Sequence, residues 1–451
     1  MPSTLSKFGF DQHTFDGFVA ARSEPEWLAD QRREHFRTFE QLAWPQRNDE
    51  EWIRTDIRLF KLNQFAPPAD TLPRSVSEGP DTLTRSASEG LPPALLSENV
   101  ALAGRTAALD SRPLASTLKP KWAEKGVVFG SLDELVHTHG ELVKKHLFTR
   151  AVDPSYDKFA ALHAAFWSGG HLLYVPKGVV VDEPLHALSA LNHGGTDLSH
   201  TLVILDEGAE ATLMVETASH AEPDGGFHCG ATEVILGQNS RFRLVSLQNW
   251  GHGVWHFAHQ KALVGRDASL QWTIAAIGSR LAKVNQHVEL VGRGAECQVN
   301  GVFFTEGKQH ISYHTLQHHA APQCRSDFLY KSALQDQART VWRGMIKVDP
   351  LAQQTNGYQR NDNMLLSPNA RADSIPGLEI EADDVRCTHG STSGKVDEEQ
   401  IFYAQARGFT RREATRMIVS GFFQQIFDRI TIDSVREALG LAIARRVREY
   451  A

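Results

Sequence analysis

A short turn sequence recurs along the central part of the chain and restricts its fold more than any other feature. Each copy has an apolar residue, three turn residues, a residue that is Ala or Ser in all copies but the first, and then a short strand-like run. The seven copies are VPKGVVV from Val175, LDEGAEA from Leu205, LGQNSRF from Leu236, VGRDASL from Val264, VGRGAEC from Val291, LQDQART from Leu334 and LSPNARA from Leu366. Successive copies lie 30, 31, 28, 27, 43 and 32 residues apart, and the 43-residue step is predicted to hold an extra excursion of the chain.

The residues in the third turn position indicate what kind of turn recurs. Six of the seven copies carry Gly, Asn or Asp there. These residues adopt a left-handed backbone at low cost. One turn reused at a near-constant interval between β-like runs is typical of a β-solenoid, whereas a sandwich has no reason to repeat it. We therefore expect a mainly β protein with a solenoid core.

Helical patterns flank the repeats and suggest three regions: a helical region at 1–160, the solenoid core at 161–394 and a helical region at 395–451. The first helix is predicted to start at Ser23 with a capping box closed by Glu26, and a late helix at Thr410 with a box closed by Glu413. The late helix is predicted to bury one face, made of Ala414, Met417, Ile418, Phe422, Ile426 and Ile430. Residues 70–80 are nearly repeated by residues 81–91, which predicts a flexible insert.

Composition excludes several classes of protein. The net charge of −7 gives no reason to expect a nucleic acid as partner. There is no apolar run of about 18 residues that could span a membrane, and the N-terminus does not resemble a signal peptide. The four cysteines contain no CxxC pair, so neither a disulfide framework nor a zinc ribbon is indicated. We expect a cytoplasmic protein with reduced thiols.

Two groups of histidines, at 252–259 and 310–319, are candidate metal ligands. His310, His314 and His318 are spaced by four residues, which places them on one side of a strand or helix. The alternative is a polar outer face of the solenoid. Cys297 is predicted to face the interior, in the register position of Ala211, Phe242, Leu270 and Thr340. No role is assigned to Cys229 or Cys324.

Catalytic motifs are scarce. The stretch GSTSGK at 390–395 has three residues between its glycines and Val396 after its lysine, so it does not meet the requirements of a phosphate-binding P-loop. A β-solenoid is also compatible with a carbohydrate-active enzyme that uses carboxylate clusters, but the acidic residues here are scattered over turns. A stand-alone histidine-rich metal-binding protein is a further alternative.

Four longer stretches carry a family resemblance that covers nearly the whole chain outside the insert. They are DEEW at 49–52, FAALHAAFWSGGHLLYVPKGVVVDEPLH at 159–186, SDFLYKSALQDQAR at 326–339 and DVRCTHGSTSGKVDEEQIFYAQARG at 384–408. With these stretches the chain resembles the SufB/SufD family of iron–sulfur cluster assembly proteins, and its SufD members more than its SufB members.

The resemblance implies a fold and a set of partners. The fold would be a right-handed parallel β-helix flanked by N-terminal and C-terminal α-helical regions. The chain would be a non-catalytic scaffold subunit of a SufBCD-type complex. It would pair with SufB through the β-helix, or with a second copy as a homodimer, and dock the ABC-type ATPase SufC on its C-terminal helices. No permanently bound cofactor is implied, and the resemblance leaves open whether a flavin binds.

The resemblance also nominates site residues. The histidine of the SufD motif corresponds to His389, which would donate one ligand to a nascent cluster shared with SufB, and Cys387 is a second, weaker candidate. The position of the SufB cluster cysteine, one turn earlier, holds Asn361 here, and the position of the SufB glutamate that follows the shared histidine holds Gly390; the N-terminal cysteine motif of SufB is missing. These departures favour a SufD-like role over a SufB-like cluster scaffold.

Overall fold

The computed structural model describes residues 9–68, 91–92, 94–98, 100–219 and 225–447. The protein is mainly β, with 41% strand against 23% helix, and its core is a β-solenoid of about eight turns with helices at both ends. The fold class predicted from the repeated turn is thus confirmed. The predicted insert at 70–91 lies outside the described residues, except for Leu91.

Within the described residues, twenty strands, numbered in chain order, form two sheets. Sheet A contains, in spatial order, β2 (Arg112–Leu118), β1 (Gly104–Leu109), β5 (Leu185–Leu191), β8 (Glu210–Ser219), β10 (Arg241–Asn249), β12 (Ser269–Ala276), β14 (Glu296–Thr305), β16 (Arg325–Leu334), β18 (Thr355–Leu365) and β20 (Val385–Lys395). Sheet B contains β19 (Arg371–Ile380), β17 (Arg339–Val348), β15 (His310–His319), β13 (Leu281–Leu290), β11 (Val254–Val264), β9 (Gly226–Leu236), β7 (His200–Leu205), β4 (Gly170–Val175) and β3 (Val128–Ser131), and the short β6 (Thr196–Asp197) pairs with β9.

Each turn of the solenoid contributes one strand to sheet B and the next strand to sheet A. Neighbouring solenoid strands run parallel and in register, as β11 and β13 do from Trp255 opposite Leu281 onward. Because side chains alternate along a strand, one face of each sheet points into the solenoid. Large residues such as Phe242, Trp272 and Trp342 fill that interior. The antiparallel hairpin β1–β2 and the antiparallel strand β3 extend the two sheets at the N-terminal end.

Helices cover the outer faces of both sheets. The N-terminal set is α1 (Gln12–Ala21), α2 (Glu26–Gln41), α3 (Pro120–Ala123), α4 (Leu132–Thr138), α5 (Gly140–His146) and α6 (Lys158–Phe166), with a 3₁₀ turn at Leu62–Gln64. The C-terminal set is α7 (Glu398–Gln405), α8 (Arg411–Phe427) and α9 (Asp433–Arg446). Phe159 of α6 stacks on Phe257 of sheet B, and Phe423 of α8 lies in one apolar cluster with Phe304 of sheet A. None of the described helices is long and apolar enough to cross a membrane.

The recurring turns lie where the chain passes from sheet B to sheet A, here called the first corner. The backbone φ is positive there, between 52° and 71°, as the residue types predicted, at Gly178, Gly208, Asn239, Asp267 and Gly294. The next turn at this corner has Gln323 at φ 59°. Glutamine is not a residue type that signals a left-handed backbone, so the sequence pattern missed this turn.

The last two predicted repeats lie at the second corner, where the chain passes from sheet A to sheet B. The 43-residue step is therefore not an excursion, and that prediction was wrong. The first five repeats lie at the first corner and the last two at the second corner, so the 43-residue step runs from one corner to the other. At the second corner the positive φ falls on Asp336, one residue before the expected Gln337, and Asn369 has no positive φ.

The change of corner also corrects the register of Cys297. Its neighbours in sheet A are Leu270 on β12 and Ser326 on β16. Thr340 was expected in the same column but lies on β17 of sheet B. The prediction that Cys297 faces the interior is confirmed, because the residue belongs to the buried core cluster inside the solenoid.

One predicted capping box is present and the other is not. The Thr410 side chain accepts a hydrogen bond from the Glu413 N–H, and the Glu413 carboxylate accepts one from the Thr410 N–H. The predicted box at Ser23 was wrong because α2 starts later than expected, with Pro25 as its N-cap. Glu26 is then the first residue of the helix and cannot reach back to close a box.

The buried face of α8 also differs from its prediction. Ala414, Ile426 and Ile430 are buried as expected, but Met417 is exposed. The core side of α8 instead includes Val419, Phe423 and Phe427. The three-region division stays a prediction, with the finding that strands β1 to β3 lie upstream of residue 161.

Candidate functional site at the open end of the solenoid

The last turn of the solenoid, made of β19 and β20, is not covered by a further turn of the described chain. Within the described part of the chain, β19 pairs only with β17, and β20 only with β18. Interior residues of β18, such as Gln359 and Asn361, are fully buried, whereas every residue of β20 is at least partly exposed. Side chains that would line the interior of an earlier turn are therefore accessible here. We call the surface formed by β19 and β20 the open end.

His389 lies on β20 at the open end. It pairs with Gln359 in the parallel ladder and shares the interior-facing side with Val385 and Cys387, as strand alternation predicted. The imidazole is exposed and makes no hydrogen bond or ion pair with the described residues. The imidazole faces the interior side of the solenoid, but no described strand follows β20 to cover it. It is therefore available to a partner.

Cys387 is held differently from His389 although it lies only two residues away. It is half-buried and packs against an apolar cluster that includes Ile346, Val348 and Ala382. Its Sγ would lie 3.3 Å from a Cβ at position 357, so Gly357 leaves the space that the thiol occupies. Burial raises the pKa of the Cys387 thiol, which keeps it protonated at neutral pH. This geometry indicates packing, and a ligand role for Cys387 stays a prediction.

Asn361, the position that the resemblance matched to a SufB cysteine, uses its side-chain amide in three hydrogen bonds. Its Nδ2 donates to the backbone oxygen of Tyr330 at 3.4 Å, and its Oδ1 accepts from Asn363 Nδ2 at 2.9 Å and from the Ser374 hydroxyl. The side chain is fully buried. Asn361 therefore belongs to a buried polar network with Asn363 and Ser374 beside the open end.

The residues after His389 offer neither a carboxylate nor a phosphate loop. At Gly390, the position that the resemblance matched to a SufB glutamate, the nearest atom to an added Cβ would be Arg360 Cγ at 3.9 Å. The whole GSTSGK stretch belongs to strand β20. An extended strand does not wrap a phosphate group, in agreement with the sequence-based exclusion of a nucleotide site.

The two histidine groups do not assemble into a metal centre. His256 lies inside the solenoid, where Trp250 donates to its Nδ1, while His259 faces outward to Asp157. His310, His314 and His318 do share the outer face of β15, but His314 bonds Glu51 and His318 bonds Asp349. Among the described residues there is no group of three or more His, Cys, Asp or Glu side chains placed to hold a metal ion.

The remaining cysteines are also poorly placed for metal binding. All four are free, and Cys229, Cys297 and Cys324 are buried on three different parts of the solenoid. Burial raises the pKa of each of these three thiols. Neutral buried thiols act as core residues rather than as exposed thiolate ligands.

Sequence reasoning missed an apolar surface on the C-terminal helices. Phe402, Tyr403, Phe409 and Met417 are 73%, 60%, 42% and 53% exposed. We call these four residues the C-terminal apolar patch. A helical wheel centred on Val419 and Phe423 would have found Met417, because at 100° per residue it lies nearly opposite Val419. Because Met417 was predicted to lie on the buried face of α8, its exposure was not anticipated.

These features define the class of protein: a two-sheet β-solenoid with helical additions that presents an accessible histidine at one open end. Residues 188–422 match the family described as "SUF system FeS cluster assembly, SufBD core domain", and residues 112–187 match "SufBD protein N-terminal region". Two relatives, from Staphylococcus aureus strain USA300 and Staphylococcus saprophyticus, are each named an iron–sulfur cluster assembly SufBD family protein. Each is 28% identical over 405 residues, which is 89% of this chain and 86% of the relative. The chain belongs to the SufBD family of iron–sulfur cluster assembly proteins.

Proposed function

We propose that the chain is a SufD-like, non-catalytic scaffold subunit that supplies His389 as one ligand to an iron–sulfur cluster built between it and a SufB-like partner. The observation that carries the proposal is the exposed, unbonded imidazole at the open end, beside Asn361 and Gly390 in the positions where SufB has a cysteine and a glutamate. The cluster is cargo of the assembly rather than a resident cofactor.

The chemistry of the open end supports a shared site rather than a complete one. A neutral imidazole is a competent iron ligand, while ordinary clusters are held by several thiolates. The described chain offers one half-buried thiol near His389, with a raised pKa, and three buried thiols elsewhere. The thiolates would therefore come from the partner.

The two free strand edges support pairing through the solenoid. Edge strands present unpaired N–H and C=O groups that readily pair with another chain. The open end also exposes Leu378 and Ile380 on the interior side of β19. A SufB-like subunit would cover this surface, and a second copy of the same chain is the alternative occupant.

The C-terminal apolar patch supports docking of a SufC-like ABC-type ATPase. Four large apolar side chains are exposed on α7, α8 and their connection, and a concentration of exposed apolar residues is typical of a protein interface. The four free thiols are compatible with a cytoplasmic complex, where thiols stay reduced.

The change His389→Ala tests the proposed ligand. The side chain is exposed and makes no polar contact with described residues, so the free energy of unfolding is expected to change by less than about 0.5 kcal/mol. Co-purification with SufB-like and SufC-like partners is expected to be unchanged. Iron and acid-labile sulfide recovered on the complex are expected to fall several-fold.

The matched control is His137→Ala, which removes another exposed histidine from α4, far along the chain from β20. It is expected to leave cluster assembly intact. If the His389→Ala complex assembles clusters at the wild-type rate, His389 is not a ligand. If the isolated chain reconstitutes a stable four-iron cluster without a partner, the SufB-like alternative replaces the SufD-like one.

A further inference from the structure

A cleft at the second corner of the solenoid lies away from the open end, beside the N-terminal segment. Its volume is about 490 Å³, within the range of small-molecule sites. Its lining includes Asp56, Leu59, His252, Trp255, Arg280, Lys308 and His310. None of these residues takes part in the site described above.

Arg280 is held in place in this cleft without an anionic partner. Its backbone is fixed between two rungs of sheet B, since its N–H donates to Val254 and its carbonyl accepts from His310. The guanidinium lies over the Trp255 ring, 4.9 Å from the centroid. It makes no hydrogen bond or ion pair with the described residues. A guanidinium oriented in this way is ready to bind a carboxylate or phosphate.

Lys308 provides a second uncompensated cation. It lies exposed on the turn that leads into β15, directly after Gly307 at φ 60°. Gln309 stiffens this turn, because its side chain accepts from the Glu306 N–H and donates to the Ser279 carbonyl. Lys308 itself forms no ion pair within the described part of the chain. The turn thus fixes the backbone of Lys308, while its ammonium group has no ion-pair partner among the described residues.

The acidic groups nearby are already engaged. Asp56 forms a two-bond ion pair with Arg58, and the Glu306 carboxylate accepts from Gln335 and faces Arg446. His310 remains neutral, since burial lowers its pKa to about 4, and its Nε2 has no hydrogen-bond partner. Neither Arg280 nor Lys308 forms an ion pair with a carboxylate of the described residues, although Asp56 lines the cleft and the Asp336 carboxylate accepts from the Gly307 N–H beside Lys308.

We propose that this cleft binds a small organic anion, with its phosphate or carboxylate group held by Arg280 and Lys308 and its apolar part against the exposed Leu59. The inference concerns a surface that neither cluster assembly nor partner docking uses in the proposed function. It therefore stands independently of that function.

Titration calorimetry on the full chain tests the site with three probes: inorganic phosphate, phenyl phosphate and benzoate. One of the two organic probes is expected to bind at least about tenfold more tightly than inorganic phosphate, and the tighter of the two identifies the anionic group. The variants Arg280→Gln and Lys308→Gln are each expected to weaken that probe about tenfold, the effect of losing one charge-assisted hydrogen bond. Leu59→Ser, at an exposed position, is expected to remove the advantage of the organic probe.

The control variants are Arg266→Gln and Lys177→Gln, which remove exposed cations that are paired with Asp267 and Glu207 at the first corner. They are expected to leave the affinity unchanged. Equal weakening by the controls would show non-specific charge attraction and overturn the proposal. The proposal would also be overturned if neither organic probe bound at about 10 mM, or if inorganic phosphate bound as tightly as both.

Discussion

At the scale of single residues, His389 and Cys387 show how one strand face can hold two different environments. Both lie on the interior-facing side of β20. Cys387 is beside the apolar residues Ile346 and Val348, whereas His389 follows where the interior becomes polar at Gln359. The thiol therefore packs and the imidazole stays accessible. This contrast is the reason why we assign the ligand role to His389.

Alkylation of Cys387 tests its assignment as a packing residue. Iodoacetamide reacts with the thiolate, and burial raises the pKa of this thiol. The pH–rate profile of Cys387, followed by mass spectrometry on the isolated chain, is expected to have its midpoint at higher pH than that of glutathione. Cys387 is also expected to react before the three buried cysteines. A midpoint below that of glutathione would instead indicate a stabilised thiolate suited to a metal.

At the scale of secondary-structure elements, a charged clamp fastens the N-terminal segment to sheet B. Glu51 bonds His314 and Arg343, and the Lys283 ammonium lies 3.6 Å from it. Burial opposes ionisation of Glu51, but the His314 hydrogen bond and the two cations outweigh it and lower the pKa of Glu51 to about 2. Burial lowers the pKa of Lys283 to about 8. The nearby Glu51 carboxylate opposes this shift and helps to keep the Lys283 ammonium charged.

The change Glu51→Gln is expected to destabilise the protein by about 1–3 kcal/mol at pH 7, because it leaves the buried Lys283 without its counter-ion. Since the folded-state pKa of Glu51 lies below the usual 4.5, its contribution is complete above pH 4.5 and is lost as the pH falls towards about 2. Urea unfolding of both proteins would show the difference shrinking over that window.

Glu50→Gln is the control, because Glu50 also pairs with Arg343 but is 82% exposed, and we expect it to change the free energy of unfolding by less than about 0.5 kcal/mol. A loss as large for Glu50→Gln would contradict the clamp.

The helices of the C-terminal region provide the test of ATPase docking. Met417→Glu places a charge in the C-terminal apolar patch and is expected to reduce co-purification of a SufC-like ATPase at least about tenfold, as hot-spot residues do. Circular dichroism and the unfolding midpoint are expected to be unchanged, since the residue is exposed. Leu441→Glu, at a similarly exposed position on α9 outside the patch, is the control. Undiminished co-purification of Met417→Glu would rule out docking on this surface.

How far the sequence predicts these elements depends on whether a residue type carries the signal. Gly and Asp at the first corner predicted their turns correctly, because these residue types favour a positive φ. Gln323 also has a positive φ, but glutamine is not a residue type that predicts one. Strand alternation placed Cys387 and His389 on one face, but it could not show that no further turn covers them. The contact between Glu51 and His314 joins residues far apart in the chain, and local patterns do not contain it.

At the scale of the whole molecule, the two ends of the solenoid differ. The hairpin β1–β2 and strand β3 continue the sheets in antiparallel fashion at the N-terminal end, while at the other end β19 and β20 each have an edge that no described strand pairs with. A chain with one open end can pair end to end with one partner, and the pairing then stops. This asymmetry favours a closed two-chain assembly over an open filament. The C-terminal apolar patch lies on α7, α8 and their connection, whereas the open end lies on β19 and β20.

The measurement that tests the central claim most directly is co-expression of the tagged chain with SufB-like and SufC-like proteins, followed by native mass spectrometry and iron analysis. Our account predicts a complex that contains all three chains, with iron and sulfide bound only when the SufB-like partner is present. A chain that purifies alone, binds neither partner and carries about four iron atoms per monomer, the content of an ordinary [4Fe–4S] cluster, would contradict it.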